Sequence, residues 1–382
     1  MAVFEINIPS RVIVGLNVIN RLPEIVQDYG DRVMIVTSKG VEELGILKKV
    51  VSLVESKAYG VIVFDQVKSE SGTNAVDEGV LLARESRTNL VIGVGGANIL
   101  NIAKAIAFIG GNEGYISDYF AGRRGRKKKI SYFEAPTTHG IAYGLLDSFF
   151  VRDVDDDLRK EYRNRFNFAD VVLFDPKLTT TLPNKYVVAI GMEVLGMAFD
   201  AYVSRAASLL TQSYAENAME LVAKNIKQAV IEPDNTRVRQ SLCTGAVFAS
   251  LALSSSRPGS SFALSQPLSC RLGLYHGLAC SLLLPHIMEF NLTASPNKYV
   301  KVARALGEDV AEISVVEAAI KAVEAVRKIL FDLNVPQRLR NFEIEQERLE
   351  EVVRDARTYD FLNVLPRPVT YDDLLNILMS AY

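Results

Sequence analysis

Residues 89–110 read NLVIGVGGANILNIAKAIAFIG, and this stretch decides how the amino-terminal half of the chain folds. Its first eight residues are an apolar, β-branched run that ends in Gly95-Gly96. The remainder repeats apolar residues at helical spacing. A strand that enters a helix through Gly-Gly is a βα unit, and the pattern recurs on both sides of it. RVMIVTS (32–38) and GVIVFDQV (60–67) read as strands, followed by helices over 40–56 and 73–85. ISYFEAPTT (130–138) and DVVLFDP (170–176) read as further strands. Continuous apolar strands alternating with helices imply a parallel sheet covered on both faces.

From about residue 184 the pattern changes. Long amphipathic helical periods occupy 187–208, 212–230, 240–254, 278–291 and 315–333, and no strand is expected there. The expected organisation is an α/β domain over 1–183 and an all-α domain over 184–382, with ligand bound in a cleft between them.

The chain of 382 residues has a formal net charge of −2, so no global field recruits nucleic acid or an anionic membrane. The basic run RRGRKKK (123–129) is expected as a solvated loop, with phosphate binding as the alternative. Cys243, Cys270 and Cys280 show no metal-type spacing and are expected to be buried thiols. No secretory pattern opens the sequence and no run of 18 apolar residues interrupts it, so a soluble, cytoplasmic protein is expected. The three histidines, His139, His276 and His286, limit imidazole chemistry severely.

Two regions carry candidate chemistry. Gly95 and Gly96 stand where backbone can approach an anion, at a helix start whose N–H groups are unpaired. The loop APTTHGIAYG (135–144) adds the hydroxyls of Thr137 and Thr138, which either turn the chain or touch cofactor phosphates. In the helical half, GMEVLGMAFDAY (191–202) places Glu193, Met197 and Asp200 on roughly one face of an apolar helix.

The order of these motifs resembles the iron-containing (group III) alcohol dehydrogenase family, and more distantly glycerol dehydrogenase and dehydroquinate synthase. VGGANILNIAK is similar to GGGSxxDxAK, and APTTHGIAYG to PTTxGTGSE. GMEVLGMAFDAYVS is similar to GMDALxHAxEAYVS, and YHGLACSLLLPHIMEFN to PHGxxNAxLLPxVxxFN. NVLPRPVTYDDLLNIL is similar to NPRPxTxEDIxxIL. The resemblance implies an α/β nucleotide domain followed by a helical domain, with NAD or NADP and a divalent metal as cofactors. It also implies a small alcohol or aldehyde substrate, and a homodimer joined through an edge strand near the amino terminus.

Carried over position by position, the family's one aspartate and three histidine ligands fall on Glu193, Met197, Phe262 and His276. A further cleft histidine falls on Gln266. With a thioether and a phenyl ring among the four, the expectation is that no metal is tightly bound. The cofactor positions become Gly95, Gly96, Ala97, Asn98, Lys104, Thr137 and Thr138, with Asn101 in place of the motif's aspartate. Ser38 and Lys39 end the first expected strand, where an acidic residue would exclude the 2′-phosphate of NADP, so both dinucleotides stay open. His276 is then the expected proton acceptor, with Glu193 and Gln266 beside it in the pocket. The alternative is a non-catalytic member kept as a ligand- or partner-binding scaffold. A third reading retains the fold with other chemistry.

Overall fold

The computed structural model describes residues 5–382, which form two compact units. One covers Asn7–Leu182; the other covers Pro183–Tyr382 and includes Glu5 and Ile6.

The first unit contains β1 (Arg11–Val14), β2 (Arg32–Val36), β3 (Gly60–Phe64), β4 (Leu90–Gly95), β5 (Ser131–Pro136), β6 (Ser148–Asp153), β7 (Leu158–Arg163) and β8 (Val171–Phe174). Six of these strands form a sheet in the order β1-β8-β5-β4-β2-β3, every neighbouring pair parallel. β4 and β8 are buried along their whole length, which explains their unbroken apolar sequences. The helices of this unit are α1 (Leu22–Val26), α2 (Lys39–Glu43), α3 (Ile46–Glu55), α4 (Thr73–Glu85), α5 (Ala97–Gly110) and α6 (Ile116–Phe120).

Three features depart from the sequence reading. The helix expected over 40–56 is two helices, because Gly45 adopts φ 74° between α2 and α3. β6 and β7 form a separate antiparallel hairpin. Its second strand, LRKEYR, is half-exposed and charged and lacks the apolar signature of the sheet strands. Within the basic run, Lys129 is not solvated; it is buried and ion-paired with Asp170.

The turn from β4 into α5 requires its glycine. A Cβ at Gly95 would lie 2.3 Å from the Ile99 side chain. α5 is buried from Ile99 to Ile109, and that stretch includes Lys104. The Lys104 ammonium donates to the carbonyls of Tyr143, Leu146 and Ser148 at 2.5, 2.7 and 2.7 Å. It therefore holds the loop that runs from β5 to β6 and is not turned toward a ligand, in contrast to the sequence expectation for this residue. Burial pushes its pKa down to about 7, against the opposing pull of Glu134 and Asp147. Burial likewise raises Glu134 to about 7.

The second unit is helical: α7 (Asn184–Val203), α8 (Leu209–Ile231), α9 (Thr236–Ser256), α10 (Ser260–Leu272), α11 (His276–Asn291), α12 (Pro296–Ala305), α13 (Val315–Asp332), α14 (Leu349–Ala356) and α15 (Tyr371–Ala381). α7 is long and apolar enough to cross a membrane by length and composition, yet 94% of its most apolar window is buried inside the protein. It is the core helix of this unit. α10 has no counterpart in the sequence reading, because Gly259 precedes it and Pro267 lies inside it. Cys243 and Cys280 are buried as expected, whereas Cys270 is partly exposed.

Removing the Lys104 ammonium leaves three buried carbonyls without their donor. Lys104→Met is expected to destabilise the protein by roughly 3 kcal/mol, measured as a lower urea midpoint at unchanged m-value.

Candidate functional site

In the helical unit, α7, α10 and α11 bring four polar side chains to one imidazole. His276 opens α11, and its Nδ1 lies 3.4 Å from Glu193 Oε1 on α7. Its Nε2 lies 2.9 Å from Ser265 Oγ and 2.6 Å from the Gln266 amide nitrogen, both on α10. Cys280 is one turn along α11, with Sγ 3.9 Å from Nε2 and 3.2 Å from Ser265 Oγ. The Phe262 ring meets the imidazole edge-on, centroids 5.3 Å apart.

This packing is set by local sequence. Glycine at 277 is needed because a Cβ there would lie 2.6 Å from the Ala189 carbonyl oxygen and 3.3 Å from Glu193 Oε2. α11 thus approaches α7 closely enough for His276 to reach Glu193. Asp200, two turns along α7 from Glu193, accepts a hydrogen bond from the Ser261 N–H at 3.0 Å, in the first turn of α10. Asp200 is therefore a cap supplied by another helix, not a member of the imidazole cluster.

The tautomer follows from the partners. A proton on Nδ1 faces the Glu193 carboxylate. Nε2 then accepts from the Ser265 hydroxyl or the Gln266 amide N–H; when Nε2 is protonated, it donates to the Ser265 oxygen. Burial disfavours the imidazolium, but the Cys280 sulfur and the Glu193 carboxylate outweigh it, and the His276 pKa is raised above its usual value. Gln266 Oε1 is buried and without a hydrogen-bond partner. One end of this amide engages His276; the other has no hydrogen-bond partner among the described residues.

The family-derived metal positions do not come together as ligands. Met197 is buried and offers only a thioether, and the Phe262 ring offers no lone pair. Glu193 and Cys280 face opposite nitrogens of the same imidazole, so no single cation joins both through His276. Among the described residues, no group of three His, Cys, Asp or Glu side chains could hold a metal ion. This donor set does not fit iron(II) or zinc.

In the α/β unit, the start of α5 lies beside the loop after β5. Gly96 is the N-cap of α5, with no side-chain cap on the first-turn N–H groups. A Cβ on Gly96 would sit 3.4 Å from the Thr138 methyl. The Thr137 N–H donates to the Gly95 carbonyl at 3.0 Å and knits the two turns together. Gly96, Ala97, Asn98, Thr137 and Thr138 are all partly exposed. Asn98 donates to the Lys68 carbonyl at 2.9 Å, leaving its own Oδ1 buried and unpartnered. These residues fit a pyrophosphate: a bare helix start, small side chains, and hydroxyls on the adjoining turn. Asn101, at the place of the family aspartate, is engaged elsewhere, accepting from the Phe150 N–H at 2.8 Å.

Ser38 follows β2 and caps α2 without a side-chain bond. Its neighbour Lys39 is ion-paired with both Asp65 and Glu42. The positive charge read from the sequence at this point is compensated.

His139 is buried in the β5 loop, and His286 is buried on α11 with Nδ1 3.5 Å from Glu289. Neither belongs to the imidazole cluster. Sequence reasoning overlooked Ser265 and Cys280. The i, i+4 spacing of His276 and Cys280, and the adjacency of Ser265 to Gln266, were the signals available for them.

Comparison with known proteins matches both units. The model described as iron-containing alcohol dehydrogenase matches residues 9–176, and that described as Fe-containing alcohol dehydrogenase family, C-terminal, matches residues 187–382. Long-chain-alcohol dehydrogenase 1 of Geobacillus thermodenitrificans is 28% identical over 389 residues, covering 100% of this chain and 98% of the relative. The NAD-dependent methanol dehydrogenase of Bacillus methanolicus is 23% identical, covering 98% of each chain. A crystal structure of 1,3-propanediol oxidoreductase superposes with a TM-score of 0.96 at 25% identity, covering 100% of both chains. With family models spanning both units, the chain belongs to the iron-containing alcohol dehydrogenase family, whose members are oxidoreductases of alcohols and aldehydes.

Proposed function

We propose that the protein interconverts a small alcohol and its aldehyde with NAD as the redox partner, and that Glu193, Gln266 and His276 move the proton without a metal centre. The observation that carries this reading is the Gln266 amide, bound to His276 at one end and unpartnered in a buried environment at the other. A buried amide oxygen with a free valence accepts a hydrogen bond, and the O–H of an alcohol supplies one.

Gln266 Oε1 accepts from the substrate hydroxyl and orients it before the proton moves. His276 takes the hydroxyl proton at Nε2 during oxidation and returns it during reduction. Glu193 holds the opposite ring nitrogen protonated and stabilises the imidazolium that forms. A nicotinamide dinucleotide, when bound, supplies the hydride acceptor. Its pyrophosphate would be held by Gly95, Gly96, Ala97 and Asn98, with Thr137 and Thr138 beside them and Ser38 toward the ribose. Lys104 has no part in this, because its ammonium is committed to three carbonyls. Compensation of Lys39 by Asp65 and Glu42 supports NAD over NADP. Family membership and the intact proton-handling cluster favour an enzyme over a non-catalytic scaffold. A homodimer in the cytoplasm, joined along the free edge of β1, belongs to the same reading.

Reduction of a short aliphatic aldehyde needs protonated His276, so its rate is expected to fall as pH rises through the raised His276 pKa. Glu193→Gln removes the adjacent charge and should move that fall to lower pH by about 1–3 units; an unmoved profile would discard the Glu193–His276 assignment. His276→Ala should lower kcat about a hundredfold or more. Purified protein is expected to hold far less than one iron or zinc per chain by elemental analysis and to keep its activity in EDTA. Stoichiometric metal that supports activity would overturn the metal-free reading. In a fluorescence titration NADH should bind more tightly than NADPH, and Gly96→Val should abolish binding of both.

A further inference from the structure

The first part of the basic run lines a recess in the α/β unit that contains none of the residues assigned above to cofactor or substrate. Its loop meets the end of β7, where the sequence reads EYRNRF (161–166). The recess, about 960 Å³ and open to solvent, is bordered by Arg123, Arg124, Arg126, Arg163 and Arg165, with no carboxylate in its lining. Arg123 and Arg163 are ion-paired, with Asp118 and Asp147. Arg124, Arg126 and Arg165 pair with no carboxylate among the described residues, and all three are exposed. Arg165 lies over the Phe166 ring at 4.8 Å.

The presentation of these guanidinium groups is built into the fold. Gly125, between Arg124 and Arg126, donates its N–H to Tyr162 Oη at 3.0 Å and accepts from Asn164 at 3.1 Å. A Cβ there would lie 2.3 Å from the Phe108 ring, so only glycine lets the loop come down on it. Beneath it, Phe108, Tyr119 and Tyr162 pack with centroids 5.3–5.6 Å apart. A loop pinned at its centre on a rigid aromatic floor, with arginines on both sides, opposes Arg165 from the hairpin. Three uncompensated like charges held together cost electrostatic energy, and a bound polyanion relieves it.

We propose that this recess is a binding site for a di- or triphosphate group. Guanidinium forks match phosphate oxygens two at a time, and arginine rather than lysine supplies the uncompensated charge at the recess. The recess has room for one small molecule, and the Phe166–Arg165 pair offers a flat face to whatever carries the phosphates. The site is independent of the dinucleotide cradle around Gly96.

The test is calorimetric titration of the full chain at low salt with inorganic triphosphate, ATP and a 20-nucleotide single-stranded DNA. Arg124→Gln/Arg126→Gln/Arg165→Gln should bind triphosphate at least about tenfold more weakly than wild type, with its circular dichroism and NADH binding unchanged. Gly96→Val should retain triphosphate binding. Tighter binding of ATP than of triphosphate identifies a nucleotide as the source, and equal binding identifies the phosphates alone; both uphold the site. The proposal is overturned if wild type does not bind triphosphate, or if the triple variant binds it undiminished. It is also overturned if Gly96→Val removes the binding, or if the oligonucleotide binds more tightly than triphosphate and ATP.

Discussion

The Asp200 carboxylate holds the first turn of α10 from α7, and the geometry of the imidazole cluster depends on this grip. α7 carries Glu193 two turns before Asp200, and α10 carries Ser265 and Gln266 just beyond the residue that Asp200 binds. One interaction thus sets the register between the helix that supplies the carboxylate and the helix that supplies the hydroxyl and amide. Gly259 permits it, since a Cβ there would lie 2.6 Å from the Asp200 carboxyl carbon. The electrostatics are opposed: a helix N-terminus favours an anion, while burial disfavours one. Burial is the larger influence, and the Asp200 pKa is pushed up to about 7.

With that register fixed, the imidazole of His276 has partners on both edges. This is the arrangement of a proton-handling histidine, in which one nitrogen is oriented by a carboxylate and the other exchanges protons. A metal-binding imidazole also turns one nitrogen to a carboxylate, so the difference here lies in what gathers at the other nitrogen: a hydroxyl, an amide and one cysteine rather than a set of ionised ligands. Here Ser265, Gln266 and Cys280 gather at Nε2, and Glu193 stands alone at Nδ1. The hydroxyl, amide and thiol at Nε2 all exchange hydrogen bonds readily, which suits a substrate oxygen that arrives and leaves.

Much of the fold was legible because the signals were local. Continuous β-branched runs identified β2, β3, β4, β5 and β8, and long apolar periods identified α7, α8, α9, α11 and α13. The hairpin β6–β7 was not legible, since its outer strand is half-exposed and charged and pairs with the buried, apolar β6 through the backbone ladder without an apolar run of its own. α10 was hidden by its internal proline and its unbranched, small-residue start. The motif resemblance brought Glu193, Gln266 and His276 to notice. What joins Ser265 and Cys280 to them is a close helix approach permitted by glycine at 277, and spacing along the chain does not encode that.

Lys104 and Asp200 show why the sequence could not separate functional from structural polar groups. Both lie on apolar helix faces, and each reads as a side chain turned inward for chemistry. In the structure, each satisfies backbone groups from a distant segment: Lys104 three carbonyls 39 to 44 residues away, Asp200 an N–H 61 residues away. A buried charge is tolerable when backbone dipoles surround it; Lys104 spends its donors in this way, whereas Asp200 keeps Oδ1 buried and unpartnered. Gln266 is equally buried, on an equally apolar helix, and one end of its amide likewise has no hydrogen-bond partner. What separates it from Asp200 is the His276 imidazole, paired with Glu193, at the other end of its amide, a juxtaposition that appears only once the three helices have met. The substrate site proposed for this protein rests on that juxtaposition as much as on the carboxylate and imidazole positions.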